Sequence, residues 1–333
     1  MKNLIIILFS VCLLLAQVFR TPSFAQDAHF SQFYTAPLLL NPGATGAFFG
    51  NIRAGLNFRN QWNSIGSPFQ TYSASIEKVL LKEQEKGKYL GVGLQMFTDR
   101  AGYGALKRTK FDVSISYNAK LNEKNNLALG LQGGFAQRGI DYTQLTWDNQ
   151  YDGIQFVGGL SSGETLNSNV YYIDLSSGML WNYRINDKAG VSAGVGLFHL
   201  NKPEQSLLAN SEGEKLDFKM IIHGEGRYVK NDKTIIYPNL LFIQQGSMYQ
   251  INAGAIVKKL VKEGSKYTGY IKGNAICFGG YFRFNDAIII VTAFEIEDWK
   301  LGLSYDVNIS PLSKATTGRG GFEISIVYRP IPD

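Results

Sequence analysis

The chain has 333 residues, with 33 Lys and Arg against 27 Asp and Glu, for a formal charge of +6. The positive excess is scattered and forms no Lys/Arg block, which excludes an electrostatic track for nucleic acid. With 36 Gly, 21 Phe and 18 Tyr, the composition suits a strand-rich protein with aromatic belts and not a helical soluble domain.

In chain order, the first element is a leader. Lys2 precedes an apolar run from Leu4 to Leu15, and Ser23-Phe24-Ala25 forms a small-residue cleavage site before Gln26. This pattern predicts a secretory signal peptide over residues 1–25, too short for a membrane helix. Cys12 follows Val11 inside the run, a poor lipidation site, so Cys277 remains the only thiol after processing. Neither an intramolecular disulfide nor a cysteine metal cage is then available. Past the leader, no stretch of about 18 apolar residues predicts a helical span.

Residues 26–50 carry Phe30, Phe33, Tyr34 and Leu38 to Leu40 together with Pro37 and Pro42. Such side chains need burial. The segment is expected on the periplasmic side of the strand-rich body C-terminal to it, folded into or against the periplasmic mouth to plug the lumen or dock a partner, or strapped against the wall.

From residue 51 to 333 the chain reads as one antiparallel up-and-down barrel of about 14 strands. Strands are predicted near 51–59, 72–80, 89–97, 109–121, 126–138, 170–183, 189–198, 218–229, 235–243, 249–258, 269–284, 287–297, 299–308 and 321–329. Each alternates apolar and polar residues. Phe111, Val113, Ile115 and Tyr117 oppose Asp112, Ser114, Ser116 and Asn118, and Phe322, Ile324, Ile326 and Tyr328 oppose Glu323, Ser325, Val327 and Arg329. Period two separates a lipid-facing side from a polar lumen. The even count and the lengths fit spanning strands. A pair of soluble sandwiches would also alternate, but the apolar faces here are uncharged along whole segments and follow a secretion leader.

Connections alternate too. Short ones, such as Asn122–Asn125, Arg184–Lys188, Asn231–Lys233 and Glu297-Asp298, are expected on the periplasmic side. Long ones at 60–71, 98–108, 141–169, 199–217 and 310–320 are expected outside. Two outer connections, at 244–247 and 285–286, are short. Arg53, Arg59, Asp112, Glu225, Arg227, Arg283, Glu295, Glu323 and Arg329 have lumen parity and are candidates for a charge network filling the interior.

The 141–169 loop carries Trp147, Asp148, Tyr151, Asp152 and Phe156. Long loops in compact folds are usually functional, and aromatics dominate protein interfaces. With Asn201 and Pro203 of the next outer loop, these residues are the candidate partner-binding surface; a lid over the pore is the plainer reading. Catalytic signals are weak: only His29, His199 and His223 exist, and no metalloprotease or nucleophile-elbow motif occurs. Asp148 and Asp152 lack the rest of a calcium loop. No enzyme activity, cofactor or metal is expected.

The opening Gln26-Asp27-Ala28-His29-Phe30-Ser31-Gln32-Phe33-Tyr34, followed by Asn41-Pro42-Gly43-Ala44-Thr45-Gly46, closely resembles the start of the PorP/SprF family of Bacteroidetes outer-membrane proteins. Phe30, Ser31, Gln32, Asn41, Pro42 and Gly46 carry that signature. Arg59, Gln61 and Trp62 carry a second, in Arg59-Asn60-Gln61-Trp62. Gly91-Val92-Gly93-Leu94, His199 to Pro203, Tyr305-Asp306 and Gly320 to Ser325 also match. Ala28, Thr35-Ala36 and Gly43 depart from the usual pattern. The resemblance implies an outer-membrane component of type IX secretion and gliding motility. Its partners would be secretion-machinery proteins, a large secreted adhesin with a C-terminal sorting domain, or both, besides lipid. A passive porin for small solutes is the alternative.

Overall fold

The computed structural model describes residues 27–330 other than 65, 67, 84–86, 103–105, 142–144, 159, 161–162, 164, 166, 209–213 and 263–272. The expected leader and the start of the strand predicted at 269–284 lie outside the described residues.

Among the described residues, fourteen strands run in order: β1 Ile52–Gln61, β2 Phe69–Glu83, β3 Lys88–Ala101, β4 Leu106–Lys120, β5 Asn125–Gly139, β6 Asn169–Arg184, β7 Ala189–Phe198, β8 Lys219–Asn231, β9 Thr234–Gln245, β10 Met248–Lys262, β11 Asn274–Arg283, β12 Ala287–Ile296, β13 Trp299–Asn308 and β14 Arg319–Tyr328. Each pairs antiparallel with its chain neighbours, and β1 closes on β14 in the register Ala54 to Tyr328 through Gln61 to Gly321. None of these strands is left as an edge, which is the condition for crossing hydrocarbon with strands.

The burial pattern distinguishes this barrel from a water-soluble one. On β4, Phe111, Val113, Ile115 and Tyr117 are exposed on the outer wall, while Lys110, Asp112, Ser114, Ser116 and Asn118 are buried inside. Water on the exterior would require the opposite arrangement. Aromatic pairs ring both rims: Trp62 with Phe69 and Phe135 with Tyr171 at one, Trp181 with Tyr183 and Trp299 with Tyr328 at the other. These are the belts expected at the two interfaces of a bilayer. The rim where β1 begins carries mostly tight turns, and the opposite rim carries the long 140–168 and 199–218 connections.

In one respect the wall departs from a uniformly polar lumen. On β8 to β12 the inward side chains include Ile221, Leu241, Ile243, Ile256, Tyr281, Ile289 and Val291, all buried. They face Phe33 and Leu40 of the N-terminal segment in one apolar cluster, so this wall is solvated by protein and not by water.

Candidate functional site

Residues 27–46 lie inside the barrel, and 47–50 lead from it to β1 at the tight-turn rim. The segment makes three 3₁₀ turns, Phe33–Thr35, Pro37–Leu39 and Pro42–Ala44, two of them begun by a proline at the first position. Proline has no amide to leave unsatisfied there. Asn41 caps the third, its Oδ1 accepting the Gly43 N–H at 2.8 Å, while its Nδ2 donates to the Met179 carbonyl at 2.8 Å. Leu38 is fully buried and Phe33 nearly so. Burying such a side chain is worth about 1.5–3 kcal/mol.

The barrel receives this plug at three levels. Nearest the tight-turn rim, the Asn41–Gly46 stretch lies so close to the wall that a Cβ on Gly130 would run into the Pro42 carbonyl, and one on Gly91 into the Thr45 carbonyl. Glu77 accepts the Gly46 N–H at 3.0 Å and pairs with Arg53 at 2.8 Å. In the long-loop half of the lumen, Glu323 accepts the Ser31 and Gln32 amides through its two oxygens, the latter at 2.8 Å. Arg59 joins Glu323 at 3.2 Å to Asp306 at 3.0 Å and donates to the His29 carbonyl. Arg283 adds Asp306 at 3.1 Å and the Ser31 hydroxyl at 2.6 Å. Arg59, Arg283, Asp306 and Glu323 are each at least 97% buried, so this cluster holds only because every one has an opposite partner.

At the long-loop rim itself, Asp27 meets Arg108, Lys219 at 3.4 Å and His199 Nε2 at 2.8 Å. His199 Nδ1 lies 2.9 Å from Asp174, which also binds Lys110 at 2.6 Å.

The charge network expected along the lumen is therefore several separate clusters. Arg53, Arg59, Asp112, Arg283 and Glu323 belong to those just described or, for Asp112, to Lys110 at 3.0 Å. Glu295 pairs instead with Lys258 and Lys300. Glu225 and Arg227 line a cavity of about 700 Å³ at the tight-turn rim, and Arg329 shares a neighbouring cavity of about 330 Å³ with Glu225. Sequence reading did not single out Asp27, Glu77, Lys110 or Asp174 as partners. The family motifs point only to the second cluster, where Ser31-Gln32, Arg59, Asp306 and Glu323 come from separated motifs and meet in one place. Gln61 sits at the outer end of β1 between Phe69 and Gly321, and Trp62 caps that strand with a left-handed φ of 56°.

On the long-loop side, residues 147–157 form a small hairpin in which Tyr151 bridges Phe156. Asp152 Oδ1 accepts the Ile154 and Gln155 amides, each at 2.8 Å, and these donors hold the carboxyl below its usual pKa. Tyr151, Ile154 and Phe156 are exposed, Ile154 at 88%; Asp148 is exposed and Trp147 half-buried. Asn201 is spent on the barrel: it accepts from Leu175 N–H at 3.1 Å and donates to Ile173 C=O at 2.7 Å, satisfying β6 where β7 no longer pairs with it. Pro203 is buried, its carbonyl accepting the Leu216 amide. The two loops join through Asn167 N–H to the Leu207 carbonyl at 2.8 Å.

A closed barrel with an apolar exterior, two aromatic belts and a lumen filled by its own N-terminal segment defines an outer-membrane β-barrel protein. Solved structures of that class share the fold. The Ralstonia pickettii toluene transporter TbuX superposes with a TM-score of 0.53 at 8% identity, covering 92% of this chain and 96% of its own. The CymD monoaromatic hydrocarbon channel gives 0.51 at 11% identity over 91% and 94%. The Pseudomonas putida toluene transporter TodX gives 0.50 at 8% over 90% and 93%. At such identities the likeness concerns architecture alone. No curated protein sequence matches the chain. The family of type IX secretion system membrane proteins PorP/SprF matches residues 23–328, and the chain belongs to it.

Proposed function

We propose that this protein is a non-enzymatic outer-membrane component of the type IX secretion and gliding-motility system that holds an exported surface protein, such as an adhesin with a C-terminal sorting domain, at the cell exterior. Processing before Gln26 leaves a plug of residues 26–50 and a barrel of 51–333. The observation carrying the reading is the outer face: the 140–168 and 199–218 loops are hydrogen-bonded to one another through Asn167 and Leu207, and Tyr151, Ile154 and Phe156 of the first are exposed. Exposed aromatic and aliphatic side chains on a hydrogen-bonded hairpin suit a protein partner. Trp147, Asp148 and Asp152 shape that hairpin, while Asn201 and Pro203 order the neighbouring 199–218 loop.

The test is affinity isolation from native envelopes, comparing the full chain with a variant whose residues 147–157 are replaced by a Gly-Ser linker. Loss of a large surface protein from the variant, with the barrel still folded, supports the reading. Equal recovery from both contradicts it.

A second arrangement within the same system rests on the two cavities at the inner rim, which share Glu225 and open where a periplasmic partner would dock. A passive channel is favoured only by the likeness to channel barrels, and a lumen occupied by Phe33, Leu38 and Leu40 weighs against free conduction.

A further inference from the structure

On the lipid-facing side of β3 and β4, three successive cross-strand pairs change character toward the long-loop rim. Met96 stands opposite Phe111, both exposed; Thr98 stands opposite Thr109, their hydroxyls 3.4 Å apart; Arg100 stands opposite Lys107, both exposed. Like charges directly opposite one another destabilise a sheet, and an anion between them removes the repulsion. Among the described residues, neither cation has an ion-pair or side-chain hydrogen-bond partner. The positions beside them in the adjoining strands, Gln70 of β2 and Gly139 of β5, supply no carboxylate, and the flanking connections 62–68 and 102–105 contain no Asp or Glu.

Below this pair the outer wall is recessed. Ala74 of β2 lies in register between Leu56 of β1 and Met96 of β3, so a methyl group is flanked by two long apolar side chains. With Tyr72, Thr98 and Ile326 these residues line an apolar groove of about 290 Å³. Thr98 is one outward position below Arg100, so the upper end of the groove is about 7 Å along the strand from the two cations. The groove lies at the height of the apolar belt, where hydrocarbon fills it, while a guanidinium and an ammonium above it suit phosphate oxygens.

We propose that this patch is a lipid-binding site: a phosphate-bearing lipid of the outer leaflet places its head-group phosphate between Arg100 and Lys107 and an acyl chain in the groove over Ala74. The two halves of the site have different chemistry and only an anionic amphiphile satisfies both. The bound phosphate supplies the counter-charge that the sequence around β3 and β4 omits, so the lipid completes the wall at this point. The proposal rests on the apolar exterior and the orientation of the barrel and is independent of the secretion role.

The test uses the full processed chain, purified in detergent and stripped of lipid, with three probes: lipid A, the same lipid freed of its phosphates, and inorganic phosphate. Native mass spectrometry reads the lipid retained. The parent chain should retain lipid A, and Arg100→Gln combined with Lys107→Gln should hold it about tenfold or more weakly, the value of one charge-assisted contact. Ala74→Phe fills the groove and should weaken retention with both cations in place. In lipid-free micelles the double variant should melt no lower than the parent, since it loses only a repulsion, and added lipid A should raise the transition of the parent alone. Equal retention by parent and double variant, equal retention of the phosphate-free lipid, or unchanged retention by Ala74→Phe overturns the proposal. Displacement of lipid A by inorganic phosphate at equal concentration also overturns it, because the site would then be one for a free anion. Should the double variant lose its heat-modifiable mobility, either single substitution gives the same readout.

Discussion

Asp27 and His199, 172 residues apart in sequence, meet side chain to side chain at 2.8 Å and tie the plug to the outer end of β7. The contact is the uppermost of three that hold residues 27–46 in the lumen, and each is made by residues a barrel could dispense with if its interior were empty.

The first prediction concerns this latch. Asp27→Ala leaves Arg108, Lys219 and His199 without their shared counter-charge, so the outer end of the plug should loosen. His199→Ala should do the same less strongly, and the double variant should cost less than the sum of the two. Residues in direct contact couple by about 0.5–3 kcal/mol. Urea unfolding in detergent micelles measures it; strict additivity would mean the two side chains do not interact.

Arg59 is the keystone of the second cluster. Arg59→Ala leaves Glu323 without a cationic partner and Asp306 with Arg283 alone, and breaking a buried ion pair from one side costs about 3–5 kcal/mol. Arg59→Lys should recover only part of this, because an ammonium cannot bridge two carboxylates and the His29 carbonyl in the same plane. A loss under about 1 kcal/mol, the value of an exposed pair, would show the cluster to be solvated.

Much of this fold is legible in the sequence because lipid imposes a simple rule on every strand. All fourteen predicted strands are present in order, and where one face is greasy and the other charged, as in β4, parity assigns the sides correctly. Parity fails on β12, where Ile288 and Ile290 face lipid while Ile289 and Val291 face the plug, so both sides of the strand are apolar. The plug's seat was hidden for a different reason. Arg59 and Glu323 are recognisable as lumen residues, but which of many inward charges share a cluster depends on strand register and on where Ser31 and Gln32 come to rest. Asn201 illustrates a third limit: an exposed asparagine in a loop suits an interface, and only the broken β6–β7 ladder reveals its structural task.

Gly130 tests the closeness of plug and wall. Gly130→Val places a branched side chain against the Pro42 carbonyl, and overpacking of this kind costs about 1–3 kcal/mol. The wall at Gly130 is held by continuous ladders to β4 and β6, the plug only by scattered hydrogen bonds, so the plug should yield. Limited proteolysis should then cut within 27–50, a segment protected in the parent chain, while the barrel keeps its heat-modifiable mobility. Continued protection would place the Asn41–Gly46 turn elsewhere.

The outer hairpin carries a pH prediction. The Gln155 and Ile154 amides hold the Asp152 carboxyl below its usual value, so the ionised form is the one that stabilises the turn. That contribution is complete above about pH 4, the ordinary aspartate range, and fades as the pH falls through the lowered pKa. The Ile154 and Gln155 amide resonances should therefore stay constant from about pH 8 to 5 and move only in stronger acid. Asp152→Asn should keep the turn, through its remaining Oδ1 acceptor, and abolish the movement. A transition above about pH 5 would contradict the hydrogen bonding seen here.

The conductance of the purified, processed protein in a planar bilayer bears most directly on whether residues 27–46 close the lumen. A seated plug predicts no large steady current from the parent chain and its appearance when Gly130→Val or Asp27→Ala dislodges the segment. A large, stable current from the parent chain, with its N-terminal segment intact, would contradict closure.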